Sequence, residues 1–451
     1  MTIPEKFKRR LSEPVDGRVL GLFRIVFGLF MAYNAYSYYK GGLIKDGLLA
    51  PHVHFKFEGF GWVDVLPEPA MVAVMGLMGV SALLMAAGIF FRWASWISAL
   101  CLAFFLFQEK SYFNNHIYLF VLLGVLLGFT DADHFLSLRR KEGRYSAVPR
   151  WQQFILAAQV MIVYFYGGIT KIRTDWLFRR EPITTLASQF PADHWLAPLF
   201  KSDLMIFTLT YGGFLLDILA PVLLWYRPVR RWTLPVFIGF HLSNSRIFDD
   251  IGIFPFVMLA ALILYFNTDE IPLLSRLGQP PATGGKKKKE SAQPYLPVAS
   301  AVTRNFLIGY FVFQLLFPFR GHFLPNAIDW TGIGKSFSWR MKVDTRSVDE
   351  FRFTVQNPAT GEVLPVNVRS FINEMQVMNL ISDVRSVAVF ARFLKDEVAR
   401  QGIVQNAVVK ARILIRYDGR PAQLFVNPDV DLASVPYGPF EKLDWVIPLN
   451  E

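Results

Sequence analysis

The fold of this chain is decided by residues Trp151–Trp176, WQQFILAAQVMIVYFYGGITKIRTDW. About twenty mostly apolar residues at 1.5 Å each make a helix long enough to cross the hydrocarbon of a bilayer. Lys171 ends the run, and Arg173 and Asp175 follow it. At 3.6 residues per turn, Tyr164, Gly167, Gly168 and Lys171 fall on one face. That face carries a phenol, then a flat two-glycine patch, then an amine at the membrane boundary. Taken alone, it suits a helix-packing patch with a snorkelling lysine as well as it suits a site. Ionisable groups in membrane segments often mark function, so the rest of the chain decides.

The 451 residues are 53% hydrophobic and 18% charged, whereas a water-soluble domain carries about a quarter charged residues. Mean hydropathy is +0.32, and the apolar residues are gathered in long blocks, so the chain is read as an integral membrane protein. Its net charge of +11 lies in short loops between those blocks, which is a topology signal and not a nucleic-acid surface. The one cysteine, Cys101, sits inside an apolar segment, so an intrachain disulfide is excluded. The basic start MTIPEKFKRRLSEPVDGR lacks the short apolar run and small-residue cleavage site of a signal peptide. The first membrane helix is expected to serve as the targeting signal.

Apolar segments are expected at 19–39, 70–91, 93–107, 116–130, 151–170, 204–226, 233–242, 251–266 and 302–319, about nine spans in all. The seventh is short and interrupted by Pro235. With the N-terminus cytoplasmic, the inner loops hold 20 Lys and Arg and the outer loops 10, the sense of the positive-inside rule. His116, Lys171 and His241 then all fall at the outer ends of their spans. GQPPATGGKKKKE at 278–290 reads as a basic, disordered linker on the inner side. A membrane domain is expected over 1–320 and a small extracytoplasmic α+β domain over 321–451. In the latter, SFSWRMKVD, DEFRFTV and AVVKARILIRY alternate like half-buried strands, QLFVNP reads as a short strand, and 370–401 has helical spacing.

Four outer stretches could carry chemistry. Lys171 could pair with Asp175, one turn on. In EKSYFNNHIYLF, Asn114 and Asn115 can cap a helix that holds His116 in its first turn. In FHLSNSRIF, His241, Asn244 and Ser245 share a face, either as a site or as a hydrogen-bonded packing seam. Lys335, Trp339 and Arg340 lie in what reads as the first outer strand. His52 and His54 would share a strand face, but no third ligand is near, so no metal site is expected. Phosphate-loop, dinucleotide and serine-nucleophile motifs are missing from the sequence.

QEKSYFNNHIYLF (108–120), VYFYGGITKIRTDW (163–176), GGFLLDILAPVLL (212–224) and FHLSNSRIFDDIGIFPFVML (240–259) resemble the vitamin K-dependent gamma-glutamyl carboxylase family. The membrane part of that family also defines a wider bacterial group, the horizontally transferred transmembrane (HTTM) domains, whose start GRVLGLFRIVFGLFMAY (17–33) resembles. FSWRMKV, NPDVDLA, GPF and DWVIPL resemble the outer domain of the carboxylases, so the likeness runs from about residue 15 to 448. Two features depart from the family. Its basic doublet is here Thr170-Lys171, and the KKKK linker has no counterpart. Recognition of a substrate propeptide is therefore not implied, and a compact, cysteine-poor chain of this kind is expected to be bacterial, in the plasma or inner membrane.

The resemblance implies a reaction. Vitamin K hydroquinone (a reduced menaquinone or phylloquinone) is oxidised by O₂ to the epoxide, and CO₂ is added to a glutamate side chain of a protein to give γ-carboxyglutamate. Lys171 aligns with the family's catalytic base and His116 with a histidine that assists it. Asn115, Tyr164, Gly167, Gly168, His241, Asn244 and Ser245 are assigned to the pocket. The residues agree with this. A lysine is a base only when neutral, glycines leave room for a flat ring, and a bilayer-embedded aromatic pocket excludes water. A quinol epoxidase without carboxylation, or a quinone- or lipid-binding protein without turnover, would share many of these features.

Overall fold

The computed structural model describes residues 3–138, 147–247, 252–276 and 299–450; the linker expected at 278–290 lies outside them. A short amphipathic helix, α1 (Ile3–Leu11), precedes the membrane part. Then come α2 (Arg18–Lys40), α3 (Glu68–Ala87), α4 (Phe91–Gln108), α5 (Asn115–Leu127), α6 (Arg150–Ile169), α7 (Asp203–Leu223), α8 (Arg227–Ile247), α9 (Phe254–Tyr265) and α10 (Ala301–Phe323). Among the described residues, six of these are long and apolar enough to cross a membrane, whereas α5 and α9 are apolar but shorter. The remaining one, α8, carries Arg227, Arg230 and Arg231 in its first turns.

These helices run alternately between two ends of a bundle. At one end Arg92 and Gln152 both reach Asp131, at 2.5 and 2.6 Å, tying together the start of α4, the end of α5 and the start of α6. Arg24 is fully buried near the same end and donates to the carbonyls of Met85, Ala86, Ala132, Phe135 and Leu136. Two of those carbonyls close α3, so the negative end of that helix helps to offset the buried charge. At the other end, buried Glu109 accepts from Phe55 N and Gln376 Nε2, at 3.1 and 2.8 Å. It joins the α2–α3 loop to the outer domain.

The outer domain is built on an antiparallel sheet in the order β4-β3-β5-β6, counting the short pair Pro14–Asp16 and Ala147–Pro149 as β1 and β2. Here β3 is Arg346–Gln356, β4 Val363–Val366, β5 Val408–Tyr417 and β6 Gln423–Leu424. Two helices, α11 (Glu374–Ser382) and α12 (Arg385–Arg400), cover it. Phe353, Val387, Phe390, Ile413 and Phe425 are fully buried between the layers. A second apolar core surrounds Leu20, Phe27, Leu119, Val160 and Phe237 within the helix bundle.

Four expectations are corrected. The stretch at 233–242 is part of a 21-residue helix with Pro235 inside it; the interior proline removes one hydrogen bond without ending the helix. Residues 171–203 are not simply a loop, for Thr174–Leu177, Ile183–Gln189 and Ala197–Phe200 are short helices. The helical stretch at 370–401 is two helices broken at Asp383, which accepts from Arg385 N at 3.1 Å. SFSWRMKVD is not a strand. Phe337, Trp339 and Lys342 have φ of 61°, 56° and 51°, and this left-handed backbone cannot pair in a sheet. The alternation arises because the aromatic rings drop into the bundle's mouth: Trp339 is fully buried and stacks on Tyr118 at 4.9 Å.

Candidate active site

Where the second end of the bundle meets the outer domain lies a cavity of about 420 Å³. Its inner wall comes from α5, α6, α7, α8 and α9, and its outer wall from residues 332–344 and the α11–α12 region.

Each wall grows out of local sequence. Asn114 caps α5 by accepting from His116 N at 3.5 Å, so His116 stands in the first turn. Its ring lies 5.8 Å from that of Phe120 and 5.9 Å from that of Phe254. Asn115 donates from Nδ2 to the Arg340 carbonyl at 3.2 Å, while its buried Oδ1 accepts no hydrogen bond among the described residues. On α6, the Tyr164 hydroxyl meets His241 Nε2 of α8 at 2.6 Å, and His241 Nδ1 is buried without a partner among the described residues. Asn244 also lines the cavity.

Lys171 lies just beyond the end of α6, buried, with its ammonium 5.0 Å from the Trp176 ring. It does not pair with Asp175. That carboxylate is taken by Arg173 and Arg420, both at 2.8 Å, whereas Lys171 forms a contact ion pair with Asp217 of α7. The π-helical turn Thr208–Gly212 lies just before the part of α7 that carries Asp217. A wide turn of this kind changes the angular phase of the residues after it. The Thr210 carbonyl in it accepts from Trp176 Nε1 at 3.0 Å.

The two glycines differ. A Cβ on Gly167 would lie 3.2 Å from Asp217 Oδ2, so this glycine leaves the carboxylate seated against bare helix in the cavity wall. A Cβ on Gly168 would lie 2.6 Å from Ile218 Cγ1 and 2.8 Å from the Ile218 nitrogen, so Gly168 faces the α6–α7 contact and not the cavity. Ser245 also stands apart, its hydroxyl donating to the Leu242 carbonyl at 2.7 Å. His52 and His54 are not on a strand: the first ring lies 5.7 Å from Phe371, and His54 Nδ1 lies 3.3 Å from Glu109. Among the described residues no cluster of His, Cys, Asp and Glu could hold a metal ion.

Cations and carboxylates alternate on the side of the cavity toward the outer domain. Lys110, Lys335, Arg340 and Lys342 line it, the first three paired with Asp383, Asp344 and Asp329. Burial alone would raise the Asp383 carboxyl, but Lys110 and Arg385 outweigh it and hold the group well below the ordinary carboxylate range. Sequence reasoning missed Asp217 as a site residue. Its signal was a lone carboxylate inside the apolar GGFLLDILAPVLL.

Residues 12–269 match the HTTM domain. With six helices suited to a membrane and a separate α+β unit after them, the chain is a multi-pass membrane protein of the HTTM class. Residues 299–451 match the vitamin K-dependent gamma-carboxylase lumenal domain, and so the chain belongs to the vitamin K-dependent gamma-glutamyl carboxylase family, with an extracytoplasmic C-terminal domain. No solved structure matches it.

Proposed function

We propose that this protein converts glutamate in a secreted or membrane-anchored protein to γ-carboxyglutamate, coupled to oxidation of vitamin K hydroquinone. It is then a carbon–carbon lyase of the carboxy-lyase class, working at the outer face of a nine-span membrane domain over 1–320. The observation that carries the reading is the cavity at the seam of the two matched domains. It gathers Lys171, His116, Asn115, Tyr164, His241 and Asn244 from three separate helical regions.

A reduced naphthoquinone suits these residues. The volume of about 420 Å³ is that of a small-molecule site. Val163, Phe240, Phe254 and Met258 offer apolar walls, and Gly167 seats the Asp217 carboxylate beside them. Asn115 Oδ1 is a buried acceptor lacking a donor among the described residues, which a ring hydroxyl would supply. When bound, reduced vitamin K supplies the electrons and, with O₂, the base strong enough to remove a glutamate γ-proton. Hydroquinone, O₂, CO₂ and glutamate yield epoxide, water, γ-carboxyglutamate and a proton.

Lys171 is the group placed to accept a hydroxyl proton, while Asn115 and His241 orient the ring and His116 closes the wall beside it. Lys110, Lys335, Arg340 and Lys342 at the outer side offer hydrogen-bond donors to an anionic side chain arriving from outside. Apolar walls keep water from the reacting centre.

The test is one assay on purified protein in detergent with vitamin K hydroquinone, a glutamate peptide and labelled bicarbonate. Epoxide and peptide-bound label together are expected. Epoxide alone would replace this reading by a quinol epoxidase, and neither product would leave a quinone- or lipid-binding protein.

A further inference from the structure

Lys171 presents a difficulty as a base. An ammonium cannot accept a proton, and Lys171 is in contact with a carboxylate, Asp217, that could hold that proton instead. Asp217, however, is not held as the neighbouring carboxylates are. Asp383 has Lys110 and Arg385, Asp344 has Lys335 and Arg346, and Asp418 has Arg173 and the Thr345 nitrogen. Among the described residues Asp217 has a single hydrogen-bond partner, Lys171. Both side chains are about nine-tenths buried, each with 8% exposure. A carboxylate in apolar surroundings with one donor gains little over its neutral form. Moving one proton across the contact leaves the pair with the same net charge, so no new charge is buried.

Resting on the reading of Lys171 as the base, we propose that Asp217 is its proton-holding partner: the working base is the buried pair, as carboxylic acid and free amine. Asp217 Oδ2 gains the proton as the O–H bond forms and the Lys171 N–H bond breaks. The amine lone pair then takes the proton of a bound hydroxyl, while Asp217 keeps its own. The excess proton later returns to solvent. Asp217 acts through Lys171 and is a positioning residue. Gly167 keeps its carboxylate against the helix surface, where a side chain would push it away.

Other titratable groups face the pair across the cavity. Tyr164 and His241 bond each other, and His116 comes from α5. On the outer wall Lys110, Lys335 and Arg340 are paired with carboxylates, and Lys342 lies beside them.

The test uses the full chain in detergent without substrate. Lys171 is acylated by a small apolar amine reagent, and its modification rate is followed by peptide mass spectrometry from about pH 6 to 9. In a proton-sharing pair the amine fraction is set by the internal equilibrium, so the rate is flat across this range. In Asp217→Asn the amine must lose its proton to solvent, and the rate climbs about tenfold per pH unit, as for any single titrating amine. Hydroquinone oxidation should show the same flat and rising profiles, with Asp217→Glu restoring the flat one. A tenfold climb in the unmodified protein, or flat profiles in both proteins, overturns the proposal. Lys171→Ala separates the two levels: hydroquinone oxidation that persists in it would remove Lys171 as the base, whatever the acylation profile shows.

Discussion

Lys171, Gly167 and Gly168 were legible as one face of a helix because 3.6-residue spacing is local. Their different duties were not, since these depend on what α7 sets against them. With Lys171 as the base, Lys171→Ala should slow hydroquinone oxidation by about 10²–10⁴-fold, the usual worth of a positioned base, and should also lower the melting temperature in detergent, since Asp217 is left buried without its partner. Full-rate oxidation would remove the assignment. The glycines should separate by a different measurement. A Cβ at Gly168 meets the Ile218 backbone nitrogen at 2.8 Å, and a close-packed helix pair has no slack there. Gly168→Ala should cost about 1–3 kcal/mol in denaturation, the range for overpacking. It should also disturb the ion pair, because Asp217 precedes Ile218. Gly167→Ala meets a side-chain oxygen at 3.2 Å and the tip of Met341 at 3.6 Å, so it should melt near the parent while weakening hydroquinone use. Equal melting temperatures for the two variants would contradict this division.

Between elements, the sequence exposed period but not pairing. The strands β3 and β5 and the helix α12 were visible because their alternation or helical spacing lies within one segment. The segment 336–344 alternates too, yet its rings enter the bundle on a left-handed backbone, a distinction that periodicity cannot express. The ion pairs that dock the outer domain were equally hidden: Arg173 reaches Asp418 across 245 positions, and Lys110 reaches Asp383. The latter docking carries a pH signature. Its folded carboxyl lies well below the ordinary value of 3.8 because Lys110 and Arg385 overcome the effect of burial. A depressed carboxyl stabilises the fold fully above its unfolded value and loses that contribution as pH falls through the folded one. Asp383→Asn should therefore lower stability by about 3 kcal/mol at neutral pH, since Lys110 is left buried without its counter-charge. The difference from the parent should stay constant between about pH 8 and pH 5 and shrink only below the ordinary carboxylate value. A gap that closes near neutral pH would show that another group titrates there.

At the scale of the whole molecule, charge bias did more than any motif. Counting Lys and Arg in the loops put His116, Lys171 and His241 at one side before any contact between them was known, and all three line one cavity. The helices alternate in direction. Arg24 and the Asp131 contacts lie at one end, while the seam with the outer domain lies at the other. If all nine helices of this bundle cross the membrane, an odd count puts the two termini on opposite sides. A reporter active only in the cytoplasm, fused after Glu451, should then be silent, whereas the same reporter inserted at Lys286–Lys289 should be active. The pair of fusions constrains the path as well as the end point. The span α10 must cross between the two positions, so opposite signals are required whatever the total count. The same signal at both positions would remove α10 as a span and leave the outer domain without its link across the bilayer. Opposite signals of the reverse sense would keep the bundle but invert it, opening the cavity to the cytoplasm and excluding a secreted glutamate substrate.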